Sequence, residues 1–372
     1  MPSAHIYLDY NASAPLRPEA RAAMAAAWEH TGNASSVHRH GRQLHGLVES
    51  ARETIAAAVN APPAGVVFTA SGTEANNLAL AFGAERPLLV SAIEHDSVLR
   101  TAMARGGTIV PVTPDGTVDL AALDRLLAGT GPGALLSLMA VNNETGVIQP
   151  VAAAAALCRQ HRALIHCDAV QALGRIPFDL AALDVDMASL SAHKIGGPQG
   201  VGALVLRDGL VPPPLLHGGG QERGRRPGTQ NVAGIAGFAA AVAAAVAELP
   251  GLADLTSRRD AMERRLRAAC SELVVVGAGA ARSPGVSCLA VPGLKAETQV
   301  MLLDLAGVSV SAGAACSSGK VAPSHVLRAM GLDEAVAGAA IRVSAGWATA
   351  PQELESFAAA WLAMVGNARR AA

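Results

Sequence analysis

The 372-residue sequence predicts an α/β protein, with a large domain built on a mostly parallel sheet and a smaller α+β unit after it. Three observations carry this expectation. Apolar, strand-forming runs recur at about 65–69, 87–92, 108–112, 134–141, 163–167, 187–191 and 201–206, and helical patterns separate them, as parallel strands joined by helical crossovers require. A long helical pair follows near 231–271, and then the pattern changes to strand candidates at 273–276, 286–291, 308–310 and 340–344. Polar residues with chemical potential fall where the early runs end, and ligands in open α/β sheets gather at the carboxyl ends of strands.

Taken in order, the first strand runs through Phe68-Thr69-Ala70 into Ser71-Gly72-Thr73-Glu74, where a helical pattern starts. Ser71 with Glu74 reads as a capping box. The same segment reads as an anion cup, because glycine admits close approach and a helix start offers unpaired N–H groups. The run ending at Cys167 leads into Asp168, which either N-caps a helix or pairs with the nitrogen of a pyridine ring and keeps it protonated. The run 187–191 leads into Ala192-His193-Lys194 and the glycine-rich Ile195-Gly196-Gly197-Pro198. An amine at a strand end in a partly dry pocket has its charged form disfavoured and attacks carbonyls, pyridoxal phosphate being the usual one; taken alone, such a lysine is more often a solvated surface residue.

Composition describes a globular enzyme: 51% of residues are hydrophobic, 3% are aromatic and the net charge is -1, which argues against disorder and against nucleic-acid binding. The alanine-rich runs Ala152–Ala156 and Ala236–Ala247 read as close-packed helices, not membrane spans, since small residues gain little on transfer to lipid. Met1–His5 has no basic region ahead of an apolar stretch, so a cytoplasmic protein is expected. Five cysteines with no C-x-x-C pair argue for reduced thiols and against a zinc site. Cys158, Cys167, Cys270 and Cys288 lie in apolar patterns and read as core, whereas Cys316 sits among small residues and reads as an exposed, mobile thiol.

Further motifs join these: Tyr7–Pro15, Gly32–His38, Glu94-His95, Val141–Gly146 (Val-Asn-Asn-Glu-Thr-Gly), Asp168–Gln171, His217–Arg223, Arg226–Thr229, Ser311–Cys316 and Ile341–Ser344. Each alone is weak, but as an ordered set over nearly the whole chain they are specific. In them the chain resembles the cysteine desulfurases of the NifS/IscS type, within the class V aminotransferase group of fold-type I pyridoxal phosphate enzymes.

The resemblance implies a large cofactor-binding domain over 15–260 and a small domain, over 1–14 and 261–372, carrying a mobile cysteine loop. It gives Lys194 the Schiff base with pyridoxal 5'-phosphate, Asp168 the ring nitrogen and Gln171 the ring hydroxyl. His95 would stack on the ring and move protons at the substrate thiol; its bland alternative is a buried core histidine. Gly72, Thr73, Ser191 and His193 would hold the phosphate, together with Thr229 from the other subunit of a homodimer. Arg342 would clamp the carboxylate of L-cysteine, with Asn143 between cofactor and substrate and Asn33 among the substrate contacts. The Cys316 thiolate would take the substrate sulfur as a persulfide, leave L-alanine, and pass the sulfur to an acceptor protein, an iron–sulfur scaffold being one candidate.

The Ser311–Cys316 pattern resembles the long-loop desulfurases, not the short-loop group. Three departures stand out. Ala34 replaces a common proline, Gly346-Trp347-Ala348-Thr349 lacks the polar residue and Thr-Thr pair of many relatives, and the sequence stops at Ala372, short of the extension through which housekeeping relatives engage a scaffold, which points to another acceptor. A class V aminotransferase or selenocysteine lyase, and a non-catalytic sulfur carrier or scaffold, are the rival readings.

Overall fold

Seven short strands of mainly aliphatic residues make the larger sheet of the computed structural model, which describes residues 5–313 and 324–371. In spatial order they are Val66–Thr69, Gly202–Leu206, Met187–Ser191, Leu164–Asp168, Leu135–Ser137, Leu88–Ser91 and Thr108–Val110. Gly202–Leu206 is antiparallel to both neighbours, and the other strands all share one direction. The central strands are buried along nearly their whole length, as a sheet covered on both faces requires. The expected strand over 134–141 shortens to Leu135–Ser137. Beyond it Leu138 N and Ala140 N still bond the carbonyls of His166 and Asp168, at 3.0 and 2.9 Å, but the chain then turns. There the side chain of Asn142 accepts from Glu144 N and Thr145 N and closes a loop.

The alanine-rich runs are helices, Val151–Gln160 and Val232–Glu248. The second packs against Pro18–Trp28 and Arg39–Ala58. Its approach is close: a Cβ on Gly237 would lie 2.6 Å from Met24 Cγ. By length and composition Val232–Ala269 could cross a membrane, but half of its most apolar window is buried inside the protein, where Phe238, Ala241 and Val242 join the larger core.

A second sheet is antiparallel throughout, in the order Ser311–Ala312, Ala340–Ser344, Val286–Ala290 and Val274–Val276. Its core gathers Leu8, Leu289, Ile341, Phe357 and Trp361, with Leu255, Met262 and Leu266 from the helix Leu252–Ala269. The N-terminal segment belongs to this side of the molecule: Ile6–Tyr7 pairs in parallel with Val308–Ser309, and Asp9 bridges Ser344. It then crosses to the carboxyl ends of the larger sheet, where Ala14 N bonds the carbonyl of His193 at 2.8 Å.

Trp361 has no exposed surface, and its Nε1 donates to Gln299 Oε1 at 3.1 Å. Trp361→Ala is expected to cost about 3–5 kcal/mol, from lost burial and the cavity it leaves. Denaturant unfolding followed by circular dichroism checks this, and a loss below about 1 kcal/mol would mean that the second core closes over the gap.

Candidate active site

A cavity of about 290 Å³ opens where strands of the larger sheet end. Ten residues singled out in the sequence line it: Gly72, Thr73, His95, Asn143, Asp168, Gln171, Ser191, His193, Lys194 and Arg342. Two others lie elsewhere. Asn33 is exposed, its Oδ1 accepting from Ser35 N, and Thr229 is exposed in the loop after Gln221–Gly224. Cys316 lies outside the described residues.

The helix Gly72–Ala81 starts at the cavity wall because Ser71 is extended and its side chain accepts from Glu74 N at 3.2 Å. Glu74 returns its carboxylate to Ala70 N, at 2.8 Å, one residue earlier than a capping box would, and Arg226 holds it from the other side at 2.7 Å. Gly72 has no room for a side chain: a Cβ there would meet Val170 Cγ2 at 2.8 Å. Gly72 and Thr73, the first two residues of this helix, line the cavity, with the positive end of the helix dipole behind them.

Asp168 ends its strand, and a turn follows in place of the α-helix that the capping reading required. Its Oδ1 accepts from Val170 N at 3.0 Å and its Oδ2 from Asn76 Nδ2 at 2.7 Å. Asn76 also donates to Ser97 Oγ at 2.9 Å, and Ser97 Oγ lies 2.8 Å from His95 Nδ1. His95 is itself a helix cap, Nδ1 accepting from Ser97 N at 3.1 Å, so in the neutral ring the proton sits on Nε2. His95 is thus a capping residue at the cavity wall, not a core histidine. Before it in sequence, Glu94 is fully enclosed; burial, then the charge of Asp168, push its carboxyl well above the usual range.

Lys194 ends a single 3₁₀ turn after the strand Met187–Ser191, and its Nζ donates to the carbonyls of Asn11 and Ala12 at 2.7 and 2.9 Å. Burial, the charge of Lys194 and that of Arg175 lower the neighbouring His193 to about 4, so its ring is neutral. Arg342 comes from the second sheet and is 3% exposed. Its Nη2 donates to Asp9 at 2.8 Å and its Nη1 to the carbonyl of Asn143 at 3.1 Å. Four buried polar atoms of the cavity wall have no hydrogen-bond partner among the described residues: Asn76 Oδ1, Gln171 Oε1, Ser191 Oγ and Arg342 Nε.

Sequence reading missed Asn76, Ser97, Asn11, Arg175 and Glu144. Asn76 left one signal, an amide on the buried face of a capped helix. Trp347 does not line this cavity but a smaller one that it shares with Arg175 and Lys194: its ring stacks 4.7 Å from the Arg17 guanidinium, and Gly346 beside it is required because a Cβ would meet the Tyr10 ring at 2.2 Å.

The model of the class-V aminotransferase family matches residues 6–357. A cysteine desulfurase of Cereibacter sphaeroides is 41% identical over 361 residues, covering 93% of this chain and 92% of the relative. An IscS-like cysteine desulfurase of Mycobacterium tuberculosis is 38% identical, covering 98% of both chains. Among solved structures, a NifS-like protein from Rickettsia africae superposes with a TM-score of 0.91 at 32% identity, covering 97% of this chain and 99% of its own.

Glu144, beside Asn143, accepts from Ser324 Oγ at 2.6 Å, and burial raises its carboxyl from 4.5 to about 7. Between those values the native state holds a proton that the unfolded chain has released, so this residue's contribution to stability falls as pH rises through the window. Glu144→Gln keeps an acceptor for Ser324 and removes that slope. Its stability relative to wild type is therefore expected to improve by on the order of 3 kcal/mol between about pH 4 and pH 8, read from unfolding midpoints; parallel profiles would refute the shift.

Proposed function

The chain belongs to the class-V aminotransferase family, whose enzymes depend on pyridoxal phosphate, and within it we propose a cysteine desulfurase that converts L-cysteine to L-alanine and transfers the sulfur to Cys316. One observation carries the cofactor assignment. The N-terminus of a helix, a strand-end carboxylate and a strand-end lysine converge on one cavity whose wall has polar atoms, at Ser191 and Gln171, without a partner among the described residues. These fit pyridoxal 5'-phosphate. Gly72, Thr73, Ser191 and His193 would hold the phosphate, Asp168 the ring nitrogen, Gln171 the ring hydroxyl and Lys194 the aldehyde carbon, with Asn143 and His95 alongside. The exposure of Thr229 fits its supply to the phosphate site of a second copy in a homodimer.

Bound there, the cofactor supplies an electron sink for charge that develops at the substrate Cα. The residues do the rest. Arg342, whose Nε has no partner among the described residues, receives the substrate carboxylate beside Asn143; Asn33 completes the substrate contacts only if a second copy or a movement brings it in. The Lys194 amine takes the Cα proton, and it is already held at the cavity wall by two carbonyls that orient its lone pair once it is deprotonated. His95, its Nδ1 fixed by Ser97, exchanges protons at the substrate thiol through Nε2. The Cys316 thiolate attacks the substrate sulfur; the C–S bond breaks, its electron pair stays with the substrate carbon, which is protonated to alanine, and Cys316 keeps the sulfur as a persulfide. An acceptor protein then takes that sulfur for iron–sulfur assembly or thiolation, in the cytoplasm.

Alanine and sulfide released from L-cysteine in the presence of a thiol reductant test the proposal. Equal amounts are expected from wild type, with losses above about 100-fold in both Lys194→Ala and Cys316→Ser. A Cys316→Ser variant as active as wild type would end the persulfide route, and accumulation of a keto acid with amino transfer to a second substrate would make the enzyme an aminotransferase.

A further inference from the structure

We propose that Arg175 is a positioning residue for Lys194: its guanidinium clamps the lysine's backbone to the turn that receives the lysine's amine, and it sets an unneutralised positive charge beside that amine. The inference rests on the reading of Lys194 as the residue that binds the cofactor aldehyde.

Arg175 Nη2 donates to the carbonyls of Lys194 and Tyr10 at 2.8 and 2.9 Å, and Nη1 donates to Asn11 Oδ1. Asn11 O in turn accepts from Lys194 Nζ at 2.7 Å. One guanidinium therefore holds the lysine at its backbone and, through a single asparagine, at its amine. Gly174 fixes where the arginine starts, since its φ of +66° is one that side-chain-bearing residues rarely adopt and a Cβ there would lie 2.6 Å from Ala245 Cβ.

Its charge state sets Arg175 apart. Neighbouring arginines are neutralised: Arg17 pairs with Glu248 at 2.7 Å and Arg342 with Asp9 at 2.8 Å. Arg175 bonds only neutral oxygens, and among the described residues no carboxylate lies within ion-pair distance. Around it stand Lys194 and His193, Tyr10 with Asp9 from the N-terminal segment, Arg342 of the second sheet, and Arg17 with Glu248 across a small cavity of about 40 Å³. The two carboxylates in that group are each committed to another arginine. Burial and Arg342 lower Arg175 itself to about 10, so it is still charged at neutral pH. A cation fixed to the same asparagine that receives the lysine amine disfavours a second proton-borne charge on the lysine nitrogen.

The test is a pH titration of the visible absorbance of protein reconstituted with pyridoxal phosphate, in wild type, Lys194→Ala, Arg175→Gln and Arg175→Lys, with kcat and KM for L-cysteine measured alongside. Arg175→Gln keeps a hydrogen-bond donor but no charge, so the midpoint is expected to rise by about one pH unit. Arg175→Lys keeps the charge but not the planar fork, so its midpoint stays within a few tenths of wild type while kcat falls about tenfold and KM holds. A band that forms in Arg175→Gln with an unmoved midpoint overturns the role of the charge, and so does an equal rise in Arg175→Lys, which keeps the test open if the glutamine variant does not fold. Wild type whose spectrum matches that of Lys194→Ala would remove the reading of Lys194 and this inference with it.

Discussion

Three residues, Tyr10–Ala12, are the constraint on which the cavity depends. Their turn begins on the side of the second core and ends against the strand tips of the larger sheet. Asn11 alone donates from its N to Ser344 Oγ at 3.0 Å and from Nδ2 to the carbonyl of Asn143 at 2.9 Å, accepts from Gln171 and Lys194 at its carbonyl, and accepts from Arg175 at its side chain. Those five partners come from four separate stretches of chain, Gln171 and Arg175 sharing one turn. The lysine amine is therefore correctly placed only when both cores have formed and docked, and the site reports on the whole fold.

Enclosed ion pairs do similar work farther out. Arg52 and Glu222, 170 positions apart, bond at 2.7 Å with little exposure of either side chain, and Phe68 N adds a third bond to the carboxylate at 3.0 Å. Burial opposes the charge on Glu222, but the bonds from Arg52, Phe68 and Gln230 win and hold it below its ordinary range. Glu222 and its neighbour Arg223 sit at φ of 48° and 58°, an unfavourable backbone for either residue. The strain is tolerated because the ion pair fixes the loop that continues to Thr229 against the first strand of the sheet. Such pairs add little net stability over a hydrophobic contact, yet breaking one strands a charge at a cost of about 3–5 kcal/mol, so they specify one loop conformation more than they strengthen the fold.

Much of this was legible in the sequence, for a local reason. Asp168, Ser191 and Lys194 each follow directly on an apolar run, so finding the strand locates the residue, and parallel topology brings strand ends together without further information. The Ser71–Gly72 turn is likewise encoded within a few residues. The connections between these points were not legible. Asn76 meets Asp168 across 92 positions and Ser97 across 21, and its amide resembles any other on a helix. Asn11 and Arg175 gain their roles from a crossing between two cores that no local pattern announces. Asn33 and Thr229 show the opposite limit: their motifs resemble the family's, yet membership in a motif does not put a side chain in the cavity of its own chain.

The thiols supply the remaining argument about which cysteine handles sulfur. All four described cysteines are buried. Burial pushes Cys158 and Cys288 up to about 12, which leaves roughly one part in 10⁵ as thiolate at neutral pH, and it drives Cys167 well above its ordinary value too. Cys270 is enclosed in the second core near Arg369, away from the cavity. None of the four offers an accessible thiolate, which supports the proposal that Cys316 takes the sulfur. The described residues on either side of its segment lead to the same place: Ser311 Oγ donates to Asp9, which holds Arg342, and Ser324 Oγ donates to Glu144, which adjoins Asn143. Ser311 and Ser324, the described residues nearest that segment on either side that make these bonds, are thus tied to the groups proposed to hold the substrate carboxylate.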